Sequence, residues 1–148
     1  MKVLQQNEIV IASHNQGKVR EIRALLAHFN LLITSSADYG LSEPVEDAPD
    51  YEGNALIKAR YVAKATGKIA LADDSGLSVT ALGGNPGIYS ARWAGENKDF
   101  DFAMKRVENE LLALGTDDNT ASFFCALALV YPDGLEKVHL GQVKGHLT

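Results

Sequence analysis

One cysteine, four prolines and an aromatic fraction of 7% leave little material for the chemistries that depend on those residues. A lone Cys125 excludes an intrachain disulfide and a cysteine-based metal cluster, and its place in the apolar run Ala121 to Tyr131 reads as that of a small core hydrophobe. No apolar run reaches the roughly 18 to 20 residues that span a bilayer. Met1 to Asn7 lacks the apolar stretch of a signal peptide, so the expectation is a cytoplasmic protein with no membrane partner. Basic residues are not in excess: 14 Lys and Arg stand against 19 Asp and Glu, for a net charge of -5. That balance gives no general attraction to nucleic acid, and any phosphate binding has to be local. The four histidines, His14, His28, His139 and His146, show neither HxxxH nor HExxH spacing, and there is no GxSxG elbow. A zinc hydrolase and a serine hydrolase of that type are therefore disfavoured.

What remains is enough for a core. With 148 residues, 46% of them hydrophobic, the chain is expected to form one α/β domain over residues 1–148. Glu8 to Ala12 reads as a buried strand, and Ser13 to Gly17 as a polar turn. Val19, Ile22, Leu25, Leu26 and Phe29 recur at helical spacing, predicting an amphipathic helix over Lys18 to Phe29 with Arg20, Glu21 and Arg23 toward solvent. Leu31 to Thr34 reads as a strand. Ser35 to Asp50, with Pro44 and Pro49, reads as an acidic loop carrying Glu43, Glu46 and Asp47. A second helix is predicted over Tyr51 to Thr66, where Tyr51, Ala55, Ala59, Val62, Ala63 and Thr66 lie along one stripe, closed by Gly67. Ile69 to Ala72 reads as a strand broken by an Asp73-Asp74-Ser75-Gly76 turn before a second extended stretch ends at Thr80. Leu82 to Gly95 reads as a long glycine-rich loop, Asp99 to Leu114 as a third helix, and Thr120 to Tyr131 and Leu135 to Leu147 as a hairpin around Pro132-Asp133-Gly134. The order implies a mixed twisted central sheet flanked by helices.

Three places carry candidate chemistry. The segment Ser13-His14-Asn15-Gln16-Gly17-Lys18 joins a strand to a helix, so free amides and a cation can face an anion there. It is not a Walker loop, because the first glycine is absent and Val19 follows the lysine; a plain capped turn is the competing reading. Asp73 and Asp74, at the end of an apolar strand, can present carboxylates at the sheet edge. Adjacent strand residues point to opposite faces, so one aspartate is expected to face a given site. Such hard oxygen ligands suit Mg²⁺, with Glu46 as a second carboxylate; a solvated acidic turn is the alternative. Lys58 alone reads as a surface lysine. Trp93 could stack on a base, although an anchor for its loop is the preferred reading.

Taken together, SHNQGKVREI, YEGNALIKA, LADDSGLSV and ALGGNPGIYSARWAG resemble, in order and spacing, the inosine triphosphate pyrophosphatase family, also called Ham1-like. The resemblance runs from Glu8 onward and implies that Ser13, His14, Asn15, Gln16, Gly17 and Lys18 form a phosphate-binding loop. Ser13 and His14 depart mildly from the usual threonine and glycine. It further implies a metal-associated Glu46, a phosphate-facing Lys58, Asp74 as metal ligand and general base, Asp73 as a supporting acid and Ser75 as a substrate contact. No role is assigned to Arg92. The implied activity is Mg²⁺-dependent hydrolysis of ITP, dITP or XTP to a nucleoside monophosphate and pyrophosphate, by a homodimer. Relatives continue into a GFGYDP-like segment and later a lysine and an SHR-like motif that read the purine, whereas this sequence ends at Thr148, so the resemblance implies a C-terminally truncated fold, with the domain over residues 1–148 incomplete at its C-terminus. Base selectivity is therefore not expected from the residues present, and exposed apolar surface is expected to favour association. A non-catalytic phosphate-binding or interaction module and a Maf-type nucleotide pyrophosphatase are the competing readings.

Overall fold

The computed structural model describes residues 8–95 and 99–148. Strand β1, Glu8–Ile11, is short and apolar, and Val10 and Ile11 are almost fully buried. It pairs in parallel with β2, Leu32–Ser35, on one side and with β3, Ile69–Val79, on the other. A strand covered on both faces needs no polar alternation, which is why its sequence is an unbroken hydrophobic run. The five-stranded sheet has the order β2-β1-β3-β4-β5, with β4 at Thr120–Val130 and β5 at Glu136–His146. Tyr131 N donates to Leu135 O at the turn, Gln142 Nε2 to Ser122 Oγ farther along, and Leu147 N to Asn119 O at the far end, so β4 and β5 run antiparallel. Parallel and antiparallel pairs together make the sheet mixed, as the element order implies.

Helix α1, Gln16–Leu25, starts two residues earlier than its apolar periodicity predicts, because Asn15 caps it through its side chain; a 3₁₀ turn, Ala27–Phe29, then occupies the predicted last turn. Arg23, expected to point to solvent, also donates from Nε and Nη2 to the Ile33 carbonyl. Helix α2, Tyr51–Thr66, has the predicted bounds, and Gly67, at φ +68°, closes it by donating to Ala63 O. The acidic loop before it contains a 3₁₀ turn, Ser36–Tyr39. The glycine-rich segment is less open than expected: a 3₁₀ turn, Gly87–Tyr89, runs into the short helix α3, Ser90–Trp93. Helix α4, Phe100–Leu114, is capped by Asp99 and ended by Gly115.

The main correction concerns β3, which is one strand of eleven residues with no break at Asp73-Asp74-Ser75-Gly76. Its central place in the sheet, between β1 and β4, overrides the turn preference of those residues.

The chain divides into two compact units. The first comprises residues up to Ala48, Glu52–Asp73 and Leu127–His139. Its core joins Ile9, Ile11, Val19, Ile33, Ile69 and Tyr131. The second comprises Pro49–Tyr51, Asp74–Ala126 and Leu140–Thr148, with a core of Val79, Trp93, Ala94, Ala103, Val107 and Ala121. Trp93 is buried there and Arg106 lies 3.8 Å above its ring, so it anchors its loop, the preferred expectation. Cys125 on β4 is half-buried. Among the described residues no helix is long and apolar enough to cross a membrane.

Candidate phosphate-binding and acidic site

In the first unit the β1–α1 turn is a capped structure. Ser13 Oγ accepts from Asn15 N at 3.0 Å, and Asn15 Oδ1 accepts from Lys18 N at 3.2 Å. His14 and Gln16 are exposed, while Ser13, Gly17 and Lys18 are half-buried. No acidic side chain lies in the first turn of α1, so its N-terminal amides keep their attraction for an anion. Lys18 Nζ stands 2.9 Å from Asp73 Oδ2.

A second lysine meets the same aspartate. Lys58 Nζ donates to the main-chain carbonyl of Asp73 and pairs with Glu46 Oε1 at 3.0 Å. Its side chain retains only 18% of its exposure, which removes it from the class of solvated surface lysines. One turn earlier on α2, the buried Asn54 accepts from Ala48 N at 2.9 Å, tying down the loop that carries Glu46. Residues four apart share a helix face, so Asn54 positions the loop and Lys58 engages its acid. The structure therefore joins four of the expected residues, Lys18, Asp73, Lys58 and Glu46, in one chain of contacts.

In the second unit lie Asp74 and Ser75, both half-buried on β3. Asp74 Oδ2 is in the interior. Asp73 and Asp74 are consecutive on a strand and so leave it on opposite faces, as expected of adjacent aspartates. Asp74 shares its face with Gly76 and Ser78, two and four residues on. Tyr51 is buried against that stretch: its hydroxyl lies 3.4 Å from Ser78 Oγ, and its ring stacks on Phe124 at 5.3 Å between centroids. Burial first, and the Asp74 charge in addition, push the Tyr51 phenol above its usual pKa, outweighing the opposite effect of the Ser78 hydrogen bond.

Among the described residues no three His, Cys, Asp or Glu side chains converge into a metal cage. A Mg²⁺ ion needs only one or two protein carboxylates when phosphates and water complete its shell, and the donor set here is all oxygen. The residues present fit that ion.

The Ham1 family model matches residues 9–148. This chain belongs to the Ham1 family. It is 55% identical over 145 residues to the dITP/XTP pyrophosphatase of Zymomonas mobilis, covering 97% of this chain and 68% of that protein. The dITP/XTP pyrophosphatase of Caulobacter vibrioides is 53% identical over 142 residues, covering 95% and 72%. Among solved structures, a HAM1 protein from Coxiella burnetii superposes with a TM-score of 0.86 at 35% identity, covering 94% of this chain and 72% of that one. The Staphylococcus aureus Ham1 protein gives 0.83 at 39% identity, covering 95% and 72%. The expected fold class is thereby shown.

Three features of this Ham1 chain escape a reading by motif alone. Asn54 is the buried polar residue of α2, Tyr51 reads there only as part of an apolar stripe, and Gly76 reads as a turn residue. A period-two pattern of small and polar residues, Asp74, Gly76 and Ser78, was the available signal that β3 continues and presents one polar face.

Proposed function

We propose that this chain is a hydrolase that converts the non-canonical purine nucleotides dITP, XTP and ITP to the nucleoside monophosphate and pyrophosphate. The observation that supports this most is the paired arrangement of Lys18 and Lys58 on Asp73 and Glu46, in a chain 55% identical to a dITP/XTP pyrophosphatase. Each lysine rests on a carboxylate, so an arriving triphosphate exchanges one anion for another and avoids stripping water from bare cations. Ser13, His14, Asn15, Gln16 and Gly17 contact the phosphates through the α1 amides and the turn, and Ser75 contacts the substrate. Asp74 is the carboxylate offered to Mg²⁺, with Glu46 as the second, and Asp73, which leaves β3 on the other face, is the supporting acid that holds Lys18. When bound, that ion supplies positive charge to the phosphates and orients them.

The chain's own residues do the rest. Asp74 takes the proton of the attacking water as it closes on the α phosphorus in line with the departing pyrophosphate. A positioned base of this kind contributes about 10²- to 10⁴-fold. Lys18 and Lys58 stabilise the charge that develops on the phosphate oxygens.

Residues 1–148 belong to a single Ham1-like domain that works in the cytoplasm as a homodimer. Strand β5, at one edge of the sheet, exposes Val138, Leu140 and Val143, which suits association. A second reading, a non-catalytic polyphosphate-binding module, draws on the same lysine cluster, since binding anions requires no turnover. Family membership weighs against a Maf-type enzyme.

Pyrophosphate release from dITP, XTP, ITP, dGTP and ATP, with and without Mg²⁺, separates these readings. The hydrolase reading expects release from dITP and XTP that depends on Mg²⁺. Nucleotide binding with no release from any of the five supports the binding module in its place.

A further inference from the structure

We propose that Tyr51 is a positioning residue for the reaction, its hydroxyl orienting the Asp74 carboxylate from the same face of β3. This rests on the hydrolase reading above and assigns a role to a residue outside the phosphate loop.

The placement follows from four observations. Tyr51 is the first residue of α2 and yet is only 8% exposed. Its ring stacks on Phe124 with an interplanar angle of 20°, which holds the plane of the ring. The hydroxyl lies against β3: a Cβ built on Gly76 would stand 2.9 Å from the Tyr51 hydroxyl, and one on Gly87 3.8 Å. Asp74 and Ser78 flank Gly76 on the same strand face, and Ser78 Oγ is 3.4 Å from the hydroxyl. Glycine at 76 is what lets the phenol approach the strand, because a Cβ there would also meet Gly87 O at 2.3 Å and Ser90 Oγ at 2.9 Å. Ser90 Oγ is committed elsewhere, donating to Gly87 O at 2.6 Å and accepting from Leu77 N at 3.0 Å, so it holds the floor of this cluster in place.

A phenol O–H beside a carboxylate restricts that carboxylate's rotation. Asp74 has two tasks in the proposed reaction, holding an ion and accepting a proton, and both depend on which oxygen faces outward. Outer partners that orient ligating groups typically change metal affinity or activity about 10- to 100-fold when removed.

The test is Tyr51→Phe, which keeps the stacked ring and removes the hydroxyl alone. Its kcat for dITP with Mg²⁺ is expected to fall about tenfold with KM for dITP changed less than about twofold, while calorimetric titration of Mg²⁺ without nucleotide shows about tenfold weaker binding. Thermal midpoints of the two proteins should agree within about 3 °C, and Ser78→Ala should move both readouts less than Tyr51→Phe does. Unchanged kcat and unchanged Mg²⁺ affinity in Tyr51→Phe overturn the proposal, as does a loss accompanied by a large fall in the thermal midpoint, which marks a structural residue. If the wild-type chain releases no pyrophosphate, the hydrolase reading fails separately and the Mg²⁺ titration alone decides. Equal affinities in the two proteins, or no Mg²⁺ binding by either, then count against Tyr51.

Discussion

The two units solve the problem of polar groups near their cores in opposite ways. In the first, charge meets charge: Lys18 with Asp73, Lys58 with Glu46 and Lys68 with Glu8. In the second, the polar centre around Asp74 is built from the hydroxyls of Tyr51, Ser78 and Ser90, packed close by Gly76 and Gly87. Ion pairs can exchange partners, so the first arrangement suits a site whose ligand is itself an anion. Hydroxyls locked by glycine-permitted contacts cannot rearrange without steric cost, so the second suits a fixed acid. Charge variants should therefore show mainly in activity where the first unit is changed, and volume variants mainly in stability where the second is changed.

The largest expected effect separates the two kinds of carboxylate. Asp74→Asn preserves size and should lower turnover of dITP by about 10²- to 10⁴-fold while nucleotide binding persists, measured by steady-state kinetics beside equilibrium binding. Retained turnover would remove Asp74 from the chemistry. Lys18→Ala should come next, with kcat/KM down by about 10²-fold and the unfolding midpoint in urea nearly unmoved, because the lysine acts on substrate more than on the fold. A large stability loss with intact kinetics would invert the comparison.

Gly76→Ala sharpens the other side. The added Cβ would stand 2.3 Å from the backbone oxygen of Gly87, an atom that cannot rotate away. Overpacking of this kind costs about 1–3 kcal/mol, readable in urea unfolding. Arg60→Ala should be mild despite its two short hydrogen bonds to Glu136, at 2.6 and 2.8 Å, because the pair is exposed; about 1 kcal/mol or less is expected.

The smallest effect is one of pH. Burial pushes the Glu8 pKa up, but hydrogen bonds from Tyr39, Thr34 and Lys68 outweigh it and leave the carboxyl below its ordinary range. A carboxyl lowered in the folded state contributes stability above its unfolded pKa and loses it as pH falls through the folded value. The stability gap between wild type and Glu8→Gln should thus be present at pH 7 and shrink in acid, below the ordinary carboxylate range, as followed by urea unfolding.

How much of this was legible in the sequence depends on how local the determinants are. Helix α2 and its stop at Gly67 follow from an apolar stripe and a glycine, both of which act within a turn or two, and Asp99 and Gly115 bracket α4 in the same way. The phosphate loop was recognisable by type, since an asparagine before a helix and a lysine in its first turn carry their own meaning. Strand β3 is not legible at its centre because Asp-Asp-Ser-Gly favours a turn locally, and only pairing with neighbours distant in sequence keeps it extended. The partners of Lys58 were hidden for the same reason: Glu46 is twelve residues earlier and the Asp73 carbonyl fifteen later. Tyr51 reads as one member of an apolar stripe, and nothing in such a stripe tells where a phenol oxygen will end.

The central claim is that the chain cleaves between the α and β phosphates, and the products state that directly. ³¹P nuclear magnetic resonance of dITP incubated with the protein and Mg²⁺ should show pyrophosphate and dIMP appearing together, with no dIDP. Orthophosphate and dIDP as the first products, or no change in dITP with active relatives run alongside, would contradict it.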